Sequence, residues 1–79
     1  MNDILEHVLE ERLRQRKKFA NAPLADHSAF ARILGEEFGE ICRAVNQRKG
    51  RTEITREVIQ AITVCWAWLE GDLHDGEQP

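Results

Sequence analysis

The stretch "REVIQAITVCWAWLE", residues 56–70, decides the fold. Val58, Ile59, Ala61, Ile62, Val64, Cys65, Trp66, Trp68 and Leu69 go all the way round a helix. At 100° per residue, Trp66 and Trp68 point about 200° apart. A helix that is apolar on every side is a buried helix. The apolar run from 58 to 69 is too short to span a bilayer, and Gln60 and Thr63 interrupt it, so its cover must be protein. A chain of 79 residues makes one small domain, which hides only about 60% of the surface its unfolded chain would expose. Two further helices cannot easily cover this one, and a partner subunit is expected to complete the job. No segment alternates with a period of two for more than a few residues, which excludes a β-rich fold. The expected architecture is therefore all-α, a three-helix bundle over residues 1–79 completed by oligomerisation into a dimer or tetramer.

Outward from this stretch, the third helix is expected over about 52–70, with Thr52 as N-cap and Gly71 just past its end. The second is expected over about 27–48, capped by Asp26 or Ser28 and stopped by Gly50. The first runs over about 3–18, with Asp3 as N-cap, Glu6 three residues on, and Ile4, Val8, Leu9 and Leu13 as its apolar stripe. Its end is basic, with Arg12, Arg14, Arg16, Lys17 and Lys18 gathered where a helix C-terminus favours cations. "FANAPLAD" (19–26) breaks the pattern through Asn21 and Pro23. "GDLHDGEQP" (71–79) reads as a frayed polar tail.

Charged residues make up 32% and hydrophobic ones 42% of the chain, which is ordinary for a globular protein and argues against disorder. The net charge of −3 argues against a nucleic-acid polymer as main partner, since phosphate binding relies on a basic surface. Cys42 and Cys65 lie far apart inside apolar helical patterns, with no C-x-x-C, and read as reduced core thiols. "MNDILEHVLEERLRQRKK" is charged from its third residue and does not resemble a signal peptide. A cytoplasmic location with no membrane partner is the expectation.

One feature conflicts with simple packing. "ARILGEEFGEICRAV" (31–45) has the spacing of a buried helix, yet it holds Glu36, Glu37 and Glu40. Glu37 falls three residues after Leu34 and four before Ile41, on the inward stripe, and Glu40 is one turn along. On the third helix Glu57 shares a face with Ala61 and Val64, with Gln60 one turn away. Crowded carboxylates repel, and burying them is costly unless they protonate or meet a cation. Oxygen-only ligands favour a hard ion, and Mg²⁺ is typically held by a few carboxylates together with substrate phosphates. Facing helices are a known place to build such a site. The plainer alternative is a solvated acidic face, with Arg43 and Arg56 neutralising Glu40 and Glu57. Arg14, Lys17, Lys18, Lys49 and Arg51 are candidates for phosphate oxygens, or else solubilising surface. Phe19, Trp66 and Trp68 could stack on a base, or pack in the core or an interface. His7, His27 and His74 show no convergent spacing.

"GEEFGEICRAV", followed after a short basic connection by "REVIQAITVCWAWLE", resembles the MazG-like nucleotide pyrophosphohydrolases of the all-α NTP pyrophosphatase superfamily, whose pattern is E-E-x-x-E and then E-x-x-D. "ERLRQRKKF" (11–19) is similar to the first-helix signature of short members. The resemblance spans roughly residues 10–70. It implies hydrolysis of a nucleoside triphosphate between the α and β phosphorus atoms, with Mg²⁺ as cofactor. It makes Glu37, Glu40 and Glu57 metal ligands, with Gln60 standing where the family has Asp. It gives Glu36 the role of orienting a ligand or the attacking water. The chain departs from the family at Gln60 and in lacking the fourth helix of many members. Those departures keep a second reading in view, a non-catalytic helical module that binds a nucleotide or a protein. A basic-helix nucleic-acid binder ranks third.

Overall fold

A computed structural model describes residues 2–18 and 26–77, with the backbone alone described for Asn2, Lys18 and residues 72–77. Three helices follow in order: α1 (Asn2–Lys18), α2 (His27–Asn46) and α3 (Arg51–Glu77), and no strand occurs among the described residues. The all-α expectation holds.

The helix ends depart from expectation in instructive ways. Helix α1 already includes Asn2, so Asp3 sits in its first turn rather than capping it. At α2 the cap is Asp26, whose side chain accepts from the Ala29 N–H at 2.8 Å. Its C-terminus closes without glycine. The Arg48 N–H donates to the Val45 carbonyl at 3.1 Å and the Lys49 N–H to the Ala44 carbonyl at 2.9 Å, the bond pair of a Schellman motif. The left-handed residue there is Arg48, at φ 57°. Gly50 instead precedes α3 and accepts from the Ile54 N–H at 3.1 Å, which places Thr52 inside the helix and not at its cap. Helix α3 does not stop before Gly71 but runs 27 residues to Glu77. A tie from outside the helix accounts for this. Glu70 Oε1 accepts from Arg12 Nε at 2.7 Å, and Glu70 Oε2 accepts from Arg16 Nη2 at 2.8 Å, so α1 holds α3 just where its local signals suggest a stop. The segment expected to fray is thus helical through Glu77; Gln78 and Pro79 lie outside the described residues.

Helices α2 and α3 run antiparallel. Near the start of α2, Phe30 stacks on Trp68 with ring centroids 5.6 Å apart and His27 Nδ1 accepts from the Trp68 indole N–H at 2.8 Å. Farther along, Glu37 and Glu40 meet Glu57. Helix α1 crosses α3 rather than following it. One flank (His7, Glu10, Glu11, Arg14) faces Arg51–Ile59, while the other (Arg12, Arg16) reaches Glu70. Among the described residues only Val8, Ala44, Thr63 and Val64 are buried. Thr63, read in the sequence as an interruption, is fully buried because its hydroxyl donates to the Ile59 carbonyl at 2.7 Å, which satisfies it within its own helix. Cys42 and Cys65 are exposed, so they are not core thiols in the single chain.

Candidate metal centre

The inward stripe of α2 and the facing stripe of α3 bring three carboxylates together. One oxygen each from Glu37, Glu40 and Glu57 lies within 4.8 Å of the others. These come from two helices because α2 places Glu37 and Glu40 one turn apart on the side that α3 packs against. Oε2 of Glu37 and Oε2 of Glu57 are both buried with no hydrogen-bond donor among the described residues. Buried polar atoms are normally satisfied, so two orphaned acceptors in one cluster fit a cation that would accept their lone pairs.

The electrostatics agree with the geometry. Burial raises the Glu37 pKa, and the charges of Glu40, Glu57, Glu11 and Glu36 raise it further. Burial likewise raises that of Glu57, followed by a close hydrogen-bonding approach to Glu40 and by the charges of Glu40 and Glu53, with Arg56 opposing. Arg56 is committed elsewhere, donating to Glu53 at 2.8 Å. The neutralisation of Glu57 by Arg56 that spacing allowed is therefore only partial.

Other candidates are distributed unevenly. Glu36 is exposed and stands outside the cluster, though its charge acts on Glu37. Gln60 is half-buried one turn beyond Glu57. Arg14 is exposed, donates from Nε to Glu11 at 2.9 Å, and is held in its charged form by that pairing and, more weakly, by the charge of Glu37. Arg14 and Arg51 line one cleft of about 620 Å³ between α1 and the start of α3. Lys17 and Lys49 are exposed and do not line it. The side chain of Lys18 and all of Phe19 lie outside the described residues. Trp68 is engaged by Phe30 and His27, which is the packing role, while Trp66 is 38% exposed.

Sequence reading gave no part in a cleft to the rest of its lining: His7, Glu10, Glu11, Thr52, Thr55, Arg56 and Ile59. The signal was present. His7, Glu11 and Arg14 recur at i, i+4 and i+7, a polar stripe on the helix whose apolar stripe drew attention. The cleft borders the acidic cluster, because Glu11 and Arg14 both act on Glu37 through their charges.

No described helix is long and apolar enough to cross a membrane. No family model, no curated protein and no solved structure matches the chain.

Proposed function

We propose that the chain is a Mg²⁺-dependent nucleoside triphosphate pyrophosphohydrolase, yielding the monophosphate and pyrophosphate, that works as a homo-oligomer (dimer or tetramer) in the cytoplasm. One observation carries this reading: Glu37, Glu40 and Glu57 converge within 4.8 Å, and two of their oxygens are buried without a donor. The MazG-like resemblance supplies the reaction class on the same residues. In this reading the three carboxylates, with Gln60 as a neutral fourth, fix the ion between the helices. Mg²⁺ held by these residues would offset developing phosphate charge and would acidify a water. Glu36, exposed outside the cluster but next to Glu37, would orient the attacking water. Arg14 and Arg51, on the neighbouring cleft, meet phosphate oxygens.

A screen of nucleoside triphosphates for pyrophosphate release with Mg²⁺ tests it. Release should cease with chelator, and Glu37→Gln should lower turnover by more than about 100-fold, the upper end of what losing a mere supporting group costs. Gln60 favours the second reading, a non-catalytic nucleotide- or protein-binding module, because it leaves the site one carboxylate short. Nucleotide binding without release from any substrate would select that reading.

A further inference from the structure

We propose that Glu11 is a positioning residue: it holds Arg14 in place to receive a phosphate oxygen in the cleft between α1 and α3, and it cancels that arginine's charge as felt by the neighbouring acidic cluster. The inference rests on the pyrophosphohydrolase reading and gives a part to a residue outside the acidic motif.

Helix α1 places Glu11 and Arg14 three residues apart, on one face. Their side chains meet at two points. Arg14 Nε donates to Glu11 Oε1 at 2.9 Å and Arg14 Nη2 donates to Glu11 Oε2 at 2.5 Å. Gln15 Nε2 adds a longer bond to Oε2, at 3.4 Å. An ordinary surface pair with the same spacing looks different. Arg56 donates once to Glu53, and their side chains are 59% and 41% exposed, whereas that of Glu11 is 14% exposed. Exposed pairs held by one bond contribute little. A two-point pair on a shielded carboxylate fixes the plane of the guanidinium.

A guanidinium carries five N–H donors, arranged so that two of its edges each match an oxyanion. Glu11 takes the edge made by Nε and Nη2. The edge made by Nη1 and the second hydrogen of Nη2 stays available for another oxyanion. Arg14 and Glu11 both line the cleft, and Arg51 lines it from α3.

Electrostatics supply the second line of argument. An arginine beside a cation site opposes the ion that the carboxylates attract. Arg14 and Glu11 are both close enough for their charges to act on Glu37. Alone, Glu11 would only worsen the crowding, since its charge adds to those of Glu40, Glu57 and Glu36 on Glu37. Paired with Arg14 it forms a neutral unit, and the arginine can then stand by the phosphates without a net charge against the cation.

Mn²⁺, a hard ion suited to oxygen ligands, titrated into the full chain and followed by electron paramagnetic resonance, reads the charge balance without turnover. Glu11→Gln should weaken Mn²⁺ binding by about tenfold, because Arg14 is left uncompensated, and Arg14→Gln should tighten it by about tenfold. The double variant should return to the wild-type affinity. Arg14→Lys keeps the charge and loses the two-edged fork, so it should leave Mn²⁺ affinity unchanged. With Mn²⁺ present, the α,β-methylene analogue of a triphosphate that the wild type hydrolyses should bind about tenfold more weakly to Glu11→Gln, Arg14→Gln and Arg14→Lys alike. Circular dichroism should match wild type in every variant. Mn²⁺ affinity that moves the same way in Glu11→Gln and Arg14→Gln, or that stays displaced in the double variant, overturns the proposal and leaves the pyrophosphohydrolase reading standing. So does analogue binding that is unchanged in Glu11→Gln. A wild-type chain that hydrolyses no triphosphate overturns both.

Discussion

Glu37 and Glu57 are half-buried, each with one carboxylate oxygen shielded from water, and the sign of the consequence follows from their raised pKa values. A carboxylate whose folded pKa lies above its unfolded one contributes favourably below the unfolded value, and that contribution is lost as pH rises through the folded one. The cation-free protein should therefore be more stable at mildly acidic pH than at neutrality, declining as pH climbs from the usual 4.5 through the raised values. Thermal melts in chelator across that window check this. Glu37→Gln should flatten the decline and raise the neutral-pH melting temperature, because it removes an inward charge without changing the side chain's length. A melting temperature that falls in Glu37→Gln at neutral pH would show a carboxylate that stabilises the fold and has no need of a cation.

Helix ends carry the second test. Arg48 adopts φ 57° to close α2, a conformation that costs an L-residue with a side chain roughly 1–2 kcal/mol and glycine almost nothing. Arg48→Gly should stabilise the chain by about 1 kcal/mol, read as a shift of the denaturant midpoint at constant slope. The element scale also shows how far sequence reasoning reaches. The three helices and the Glu37, Glu40, Glu57 cluster were legible because 3.6-residue periodicity reports which side chains share a face. The stop at Gly71 was misread because a glycine is a strong local signal, while the Arg12–Glu70–Arg16 tie that overrides it joins residues 54 and 58 apart in sequence. Gly50 was given to the wrong helix for a similar reason: either end can use it, and backbone bonds decide which does. The cleft between α1 and the start of α3 depends on how the two helices sit against each other, and no pattern within one helix encodes that arrangement.

For the whole molecule, the weakest part of the fold is its interior. Four buried side chains among the described residues are a thin core for a chain of this length, and small domains rely on staples or assembly to compensate. The apolar all-round character of residues 58–69 pointed to that need from the start, and on α3 it leaves Val58, Ile62 and Leu69 exposed. One adjacency then matters beyond packing. Phe38 follows Glu37 by one residue, and Val58 follows Glu57 by one, so the acidic cluster and this exposed apolar face share a wall. If a second subunit covers that face, as the proposed homo-oligomer requires, Glu37 and Glu57 would lie further from water, and a cation between them would make covering it easier. Each event would then strengthen the other by the same factor, as thermodynamic reciprocity requires. The dimer dissociation constant should fall by about tenfold between chelator and saturating Mg²⁺, and Glu37→Gln should erase the difference, both measurable by sedimentation equilibrium. Dilution would then strip the ion, and scarcity of the ion would part the subunits, so the chain's capacity to hold metal would track its own abundance.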